Sequence, residues 1–305
     1  MSIDSAAQAG YFFIVMRSPH AREKLKQRLD RLYRAFDGRY LETDPLEFVH
    51  RYKSAGDREV AGLIASALAY GRVAGIRKSI AKVLGVMGKS PRAFTARFDP
   101  KRHQRFFAGF KHRFNTGEDI SCLIYFARQM MEDSSTIGRF FMKGYVPSDK
   151  NVKGALTVFS KNVLTLSHGR IYGKGALPAR AGVRFFFPSP EDGSPCKRLN
   201  LYLRWMVRRG DGLDFGQWKG VDPAKLVIPL DTHIARISRN IGLTRRTAAD
   251  WRMAEEITDA LAELDPSDPV KYDFALCRLG ILEKCPSTAD ADACAECLIK
   301  DVCVL

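Results

Sequence analysis

Apolar residues recur along this chain at three- and four-residue intervals almost throughout, and strand-like alternation is scarce. A backbone that turns once in about 3.6 residues places such positions on one face, so the chain is expected to fold as helices joined by their apolar stripes. Leu25, Leu29, Leu32 and Phe36 mark one amphipathic helix ending near Gly38. Asp44-Pro45 reads as a helix start, with aspartate as the cap and proline in the first turn. Leu46, Val49 and Tyr52 follow on one face. DREVAGLIASALAY, from Asp57, is an apolar helix that stops at Gly71, and RVAGIRKSIAKVLGVMG is another, carrying Val73, Ile76, Ile80, Val83 and Leu84. In RHQRFFAGFKHRF, residues Phe106, Phe107, Phe110 and Phe114 share a helical stripe while the cations fall largely opposite. That pattern reads as a core helix with a solvated basic side, ahead of a nucleic-acid-binding segment. Further helices are expected at 118–132, 151–166, 196–209, 231–241, 249–263 and 269–279. The fold class is all-α. With 305 residues, 46% of them hydrophobic and 19 of them Phe, the chain can bury a sizeable core as one large domain or two interlocked ones.

Lys and Arg outnumber Asp and Glu by 49 to 34, a net charge of +15, with a pI near 9.6. Such an excess attracts a polyanion, with nucleic acid the first candidate and an acidic membrane the second. No run of about 18 apolar residues exists to span a bilayer. YFFIVM (Tyr11–Met16) is too short for a secretory core, and Asp4 stands where a basic region belongs. Residues 1–16 therefore read as a disordered leader, or as sequence upstream of a true start at Met16, and the expected compartment is the reducing cytoplasm. The least regular stretch is 168–195; its Gly169–Gly175 segment looks like a phosphate loop but lacks the Gly-Lys-Ser/Thr ending and a preceding strand.

Four cysteines, Cys285, Cys294, Cys297 and Cys303, crowd the last twenty-one residues in a C-x8-C-x2-C-x5-C pattern. Thiols this close in a chain without secretory features read as metal ligands before disulfides. Tetrahedral zinc or a cubane 4Fe-4S cluster fits four thiolates. Zinc ribbons usually pair two C-x2-C knuckles and this chain has one, so the uneven spacing favours iron–sulfur, with zinc the alternative and unmetallated thiols a third reading.

Two further segments carry chemistry. In PLDTHIARISRNIGL (229–243), Asp231 stands immediately before a helix striped by Ile234, Ile237 and Ile241. It caps that helix through the amides of His233 or Ile234, and a carboxylate so held also serves catalysis. In CKRLNLYLRWMV (196–207), Lys197 opens a helix whose Leu199, Tyr202, Leu203 and Met206 face inward. A cation there opposes the helix dipole, which favours the neutral amine that a nucleophile needs; a solvated lysine with no role is the plainer reading.

A lysine opening one helix, a DTH-x-x-R motif opening a second, and clustered cysteines in C-x2-C-x5-C together resemble the helix-hairpin-helix (HhH-GPD) DNA glycosylase superfamily. Its endonuclease III-like and archaeal 8-oxoguanine glycosylase-like members are the nearest in pattern. The resemblance is sharpest over about 185–305, with DREVAGLIASALAYGRV upstream similar to the first long helix of that fold. DPLEFVHRY, SPCKRLNLYLRWMV, IPLDTHIARI and DPVKYDFALCRLGI look like a less-studied bacterial branch.

The resemblance implies a six-helix barrel at 57–230 with a degenerate hairpin, and a second helical lobe from 17–56 and 231–305 with a cluster loop at 285–303. It implies that Asp231 is the catalytic aspartate and Lys197 the Schiff-base lysine, facing each other across a cleft for a flipped base. It implies a 4Fe-4S cluster on the four cysteines and a nucleoid-associated monomer acting on double-stranded DNA with a damaged or mismatched base. The DNA-contacting positions would be Tyr70, Arg72, Gly193, Arg198, His233, Arg236, Lys284 and Lys300. The chain departs from the pattern where SPEDGSPCKRL supplies a single Gly193 for a two-glycine hairpin, and where the first cysteine gap is eight residues, not six. Its 34-position interval between Lys197 and Asp231 is long for endonuclease III and closer to the archaeal enzymes. A non-catalytic nucleic-acid-binding protein on the same scaffold is the alternative function, and a zinc-stabilised helical adaptor a third. Cys196 and Cys277 read as small buried residues, and Phe185–Phe187 as aromatics anchoring a loop to the core, with stacking on a base the second reading.

Overall fold

The computed structural model describes residues 18–282, 285–288 and 290–304. The expected leader at 1–16, its Met16 start and Lys284 lie outside the described residues. In chain order the helices begin with α1 (Pro19–Ala35), α2 (Leu46–His50), α3 (Ala55–Ala67), α4 (Val73–Met87), α5 (Pro91–Ala96) and α6 (Pro100–His103). A two-residue hairpin, β1 (Lys111–His112) and β2 (Asn115–Thr116), pairs Lys111 with Thr116 and His112 with Asn115. There follow α7 (Gly117–Ser134), α8 (Ile137–Met142), α9 (Lys153–Leu164), α10 (Gly169–Tyr172) and α11 (Lys197–Val207). The last are α12 (Thr232–Asn240), α13 (Trp251–Ala262), α14 (Asp273–Leu282) and α15 (Ala291–Ala295). The protein is all-α, with that hairpin the sole sheet among the described residues. No helix among them is long and apolar enough to cross a membrane.

The chain divides into two compact units, one from Leu41–Asp222 and the other from the segments ending at Tyr40 and starting at Pro223. The expected division at 56/57 and 230/231 is displaced at both ends. Leu46, Phe48 and Val49 of α2 are buried in the central unit, where Glu47 pairs with Arg77 of α4. The segment before Asp231 belongs to the other unit, where the Ile228 amide donates to Thr258 Oγ1 of α13 at 3.0 Å.

Within the Leu41–Asp222 unit, α3 is buried from Glu59 to Ala67 and crosses α11. Gly62 permits that approach, since a Cβ there would lie 2.8 Å from Met206 Cε and 3.1 Å from Tyr202 Cε2. Glu59, itself buried, accepts from the amides of Ile137 (3.1 Å) and Gly138 (2.8 Å) and from Trp218 Nε1 (2.9 Å), so it caps α8 from a distant helix. Beyond α11, Asp214 pairs in the interior with Arg208 (3.0 Å) and Arg204 (3.4 Å) and ties the following loop to the helix.

The expected helix over 102–114 is not formed. A 3-10 turn at Gln104–Phe107 runs into the hairpin, broken by Gly109 at φ 69° and Arg113 at φ 55°. Of the four-Phe stripe, Phe107 and Phe110 are buried, whereas Phe106 and Phe114 are 45% and 56% exposed. Two backbone positions in the left-handed region cannot belong to a continuing helix, and the shared face is lost with it.

In the other unit, α12 packs on α14 and α14 on α1. Gly280 lies against His233, so close that a Cβ would come within 2.8 Å of His233 Cβ. Asp301, in the 3-10 turn Lys300–Val302, is held to α1 by Arg28 at 2.7 Å, and its carbonyl accepts from Lys24 Nζ at 3.0 Å.

Candidate active-site residues and a cysteine-lined cavity

Lys197 is the first residue of α11, and the loop that delivers it is built from tight local bonds. Ser189 caps the 3-10 turn Pro190–Asp192; Gly193 follows at φ 78° and donates its amide to Pro190 O at 3.0 Å. Gly193, expected at a DNA phosphate through its backbone, is an exposed turn position whose own amide is engaged within the loop. Cys196, at φ 48°, is buried, and burial pushes its thiol up to about 12. It stays a thiol at neutral pH and is no candidate nucleophile.

Lys197 Nζ donates to Ala69 O at 3.3 Å, and Arg198 Nη1 to Ala67 O at 3.2 Å. Both carbonyls lie at the C-terminal end of α3, where the helix dipole favours cations. One dipole thus offsets the other: the site opposes a charge at the start of α11 and welcomes it at the end of α3. Arg198 also donates to Phe185 O, and its guanidinium lies 3.6 Å from the Phe185 ring centroid. Burial lowers its pKa to about 10, which leaves it cationic at neutral pH. Expected at DNA, Arg198 is instead an internal clamp; a buried guanidinium bound to two carbonyls is not offered to a phosphate. Tyr70 is half-buried, with its hydroxyl donating to Asn115 Oδ1 and His112 O, and burial pushes its pKa up to about 12. Arg72 is the exposed N-cap position of α4.

Asp231 lies in the other unit and caps α12. Its Oδ1 accepts from the amides of His233 and Ile234, each at 2.9 Å. Five buried residues, Leu226 to Leu230, precede it and hold it at the edge of the core. Arg236 Nη2 approaches His233 Nδ1 at 3.3 Å, so these two form one half-exposed pair on the first turns of α12.

The four C-terminal cysteines are brought together. Cys285, Cys294, Cys297 and Cys303 line one cavity of about 420 Å³, with Ile237, Leu279 and Ile299 as its apolar wall. Local structure explains this. Asp290 caps α15 through the amides of Asp292 and Ala293, and turns then bond Cys297 N to Cys294 O, Lys300 N to Cys297 O and Cys303 N to Lys300 O. A repeat of three residues per turn puts positions 294, 297, 300 and 303 on one side, and all four line the cavity. No disulfide joins any described cysteine. No three Cys, His, Asp or Glu side chains among the described residues gather tightly enough to hold one ion as they stand.

A second observation bears on what the cavity could hold. Asn240 Nδ2, buried at its wall, has no hydrogen-bond partner among the described residues. Such an N–H suits a cluster sulfur, because buried donors are ordinarily bonded. Asn240 had no signal in the sequence beyond its place three residues after Ile237 on α12. Lys300 is exposed at the cavity mouth.

No curated protein and no solved structure matches this chain. A family model does, over residues 44–282, a span that takes in Lys197 and Asp231 and stops short of the cysteine loop. That span is most of the chain, and the protein belongs to the family described as "Protein of unknown function (DUF2400)".

Proposed function

We propose that this protein is a DNA base-excision enzyme of the helix-hairpin-helix glycosylase type, removing a damaged or mismatched base from duplex DNA as a monomer on the nucleoid. The observation that carries the reading is the cysteine-lined cavity with its unpartnered Asn240 amide, in a helical chain of net charge +15. Cys285, Cys294, Cys297 and Cys303 would hold a 4Fe-4S cluster, with zinc the alternative. Held by these four thiolates, such a group would supply structure and no turnover, and Lys300 at the same cavity offers a phosphate contact.

The chemistry belongs to Lys197 and Asp231. The neutral amine of Lys197 attacks C1′ as the bond from C1′ to the base nitrogen breaks and the base leaves with the electron pair. Loss of a proton from nitrogen and opening of the sugar give a Schiff base; removal of the C2′ proton then expels the 3′ phosphate by β-elimination. The Asp231 carboxylate offsets the positive charge that builds on the sugar. His233 and Arg236, on the turns after Asp231, are further candidates for DNA contact, as are Tyr70 and Arg72 of the other unit.

Incubation with duplexes carrying a panel of lesions, followed by borohydride, tests this. A covalent protein–DNA adduct is expected, and Lys197→Gln should abolish it; an adduct that survives that substitution removes Lys197 from the chemistry. The loaded protein should be brown, absorbing broadly near ~400 nm, whereas a colourless zinc-containing preparation would replace the cluster. One observation favours a second reading, a DNA-binding protein without turnover: Lys197 Nζ donates to Ala69 O at 3.3 Å, at a helix end that favours the cation over the nucleophilic amine. Salt-dependent binding with neither base release nor adduct across the panel would select it.

A further inference from the structure

Large aromatic side chains are left in water at two places that touch. Phe114 and Phe185 are 56% and 37% exposed, their ring centroids 4.6 Å apart and their planes at 80°. Tyr70 joins them, 4.8 Å from Phe185 and 5.7 Å from Phe114.

The trio is held from beneath by buried polar groups. Asn115, which accepts from the Tyr70 hydroxyl, gives its amide to Gly182 O at 2.9 Å and to Asp119 Oδ2 at 3.2 Å. His112 is bonded to Ser79 Oγ at 2.8 Å and to Tyr70 O at 3.0 Å. The Arg198 guanidinium covers one face of Phe185. Arg113, at φ 55°, forms the hairpin tip with Phe114, and its side chain packs where Gly71 carries no Cβ; one there would lie 3.1 Å from Arg113 Cδ. Non-glycine residues seldom adopt that conformation without surrounding structure to hold it. Exposed cations adjoin these aromatics in the chain, Arg72 two residues after Tyr70 and Lys111 and Arg113 in the hairpin that carries Phe114, whereas Arg184 is held by the Leu177 and Pro178 carbonyls. Lys197 is bonded at the same end of α3 through Ala69.

We propose that Tyr70, Phe114 and Phe185 form a stacking platform for an unpaired nucleobase of DNA, with Arg72, Lys111 and Arg113 on the flanking phosphates. Every base has a π-face, so rings held rigidly in water beside guanidinium and ammonium groups match an unstacked nucleotide: base on ring, phosphate on cation. Two exposed rings are too small an apolar area for a protein helix, and the adjoining cations select a polyanion. The inference rests on the nucleic-acid reading above and adds the feature recognised, a base out of its stack.

The test uses the full chain and fluorescence anisotropy with three labelled oligonucleotides: a paired duplex, the same duplex with a one-base bulge, and the single strand, each at two salt concentrations. Bulged and single-stranded DNA should bind more tightly than the duplex. Phe114→Ala, at an exposed tip, should weaken those two by roughly five- to a hundredfold and so remove most of the preference over duplex, while Phe114→Trp keeps it. A 2-aminopurine in the bulge should be quenched by the wild-type protein and not by Phe114→Ala. Salt-dependent binding with no preference for unpaired DNA, or a preference indifferent to Phe114→Ala, overturns the platform and leaves the DNA reading standing. Absence of salt-dependent binding to all three overturns both.

Discussion

At the scale of single residues, the capping bonds of Asp231 allow its structural role to be separated from the catalytic role proposed for it. Its Oδ1 satisfies two amides at the start of α12, a bond pattern an asparagine oxygen reproduces without the charge. Asp231→Asn should therefore fold with near-wild-type stability and lose base release. Asp231→Ala, which removes the cap, should cost about 1 kcal/mol, read as a lower urea midpoint. Loss of helicity in the asparagine variant would assign the residue to structure alone. Lys197 makes the complementary point: the start of α11 disfavours a cation, and the carbonyls of Ala69 and Ala67, far away in sequence, accept from Lys197 and Arg198.

Between elements, the joint of α1 and α14 is ionic. Asp30 on α1 accepts from Lys26 (2.6 Å) and from the Tyr272 hydroxyl (2.7 Å), with Lys271 at 3.3 Å. Burial alone would raise the Asp30 pKa; these partners outweigh it, and the net shift is downward. Asp265, bonded to Lys271 at 2.7 Å, is likewise lowered against its own burial. A carboxylate depressed in the folded state ionises more readily there than in the unfolded chain. Its stabilisation is complete above the ordinary aspartate value of about 3.9 and is lost as pH falls through the lower folded value. The urea midpoint should drop between pH 6 and pH 3, and Asp30→Asn should make that drop smaller. An equal drop in the two proteins would show that the joint does not titrate.

For the molecule as a whole, the cysteine loop is the segment whose stability should depend on something bound. Asp301 ties it to α1 through Arg28 and Lys24, yet the cavity behind it is lined by thiols and one unpartnered amide. If the proposed cluster is bound there, an iron chelator should increase proteolysis and hydrogen exchange at 285–303 while α3 and α11 keep their protection, because metal binding is folding energy only for the residues that close around it. Equal protection with and without chelator would mean that the loop needs no metal. The family match ends before this loop, at residue 282, whereas both proposed catalytic residues fall inside it.

The amino-acid order alone determined the helices whose apolar residues repeat, the caps at Asp231 and near Asp44, and the cysteine spacing that curls onto one side. Each depends on neighbours within a turn or two, where backbone geometry decides. It misread 102–114, because four phenylalanines fit a helical face that Gly109 and Arg113 break by turning left-handed. The fate of Arg198, the engaged amide of Gly193, the orphan at Asn240 and the exposed rings of Phe114 and Phe185 were decided only by tertiary structure. Whether a polar group is satisfied or an aromatic covered depends on which remote segment packs over it, and no local pattern encodes that.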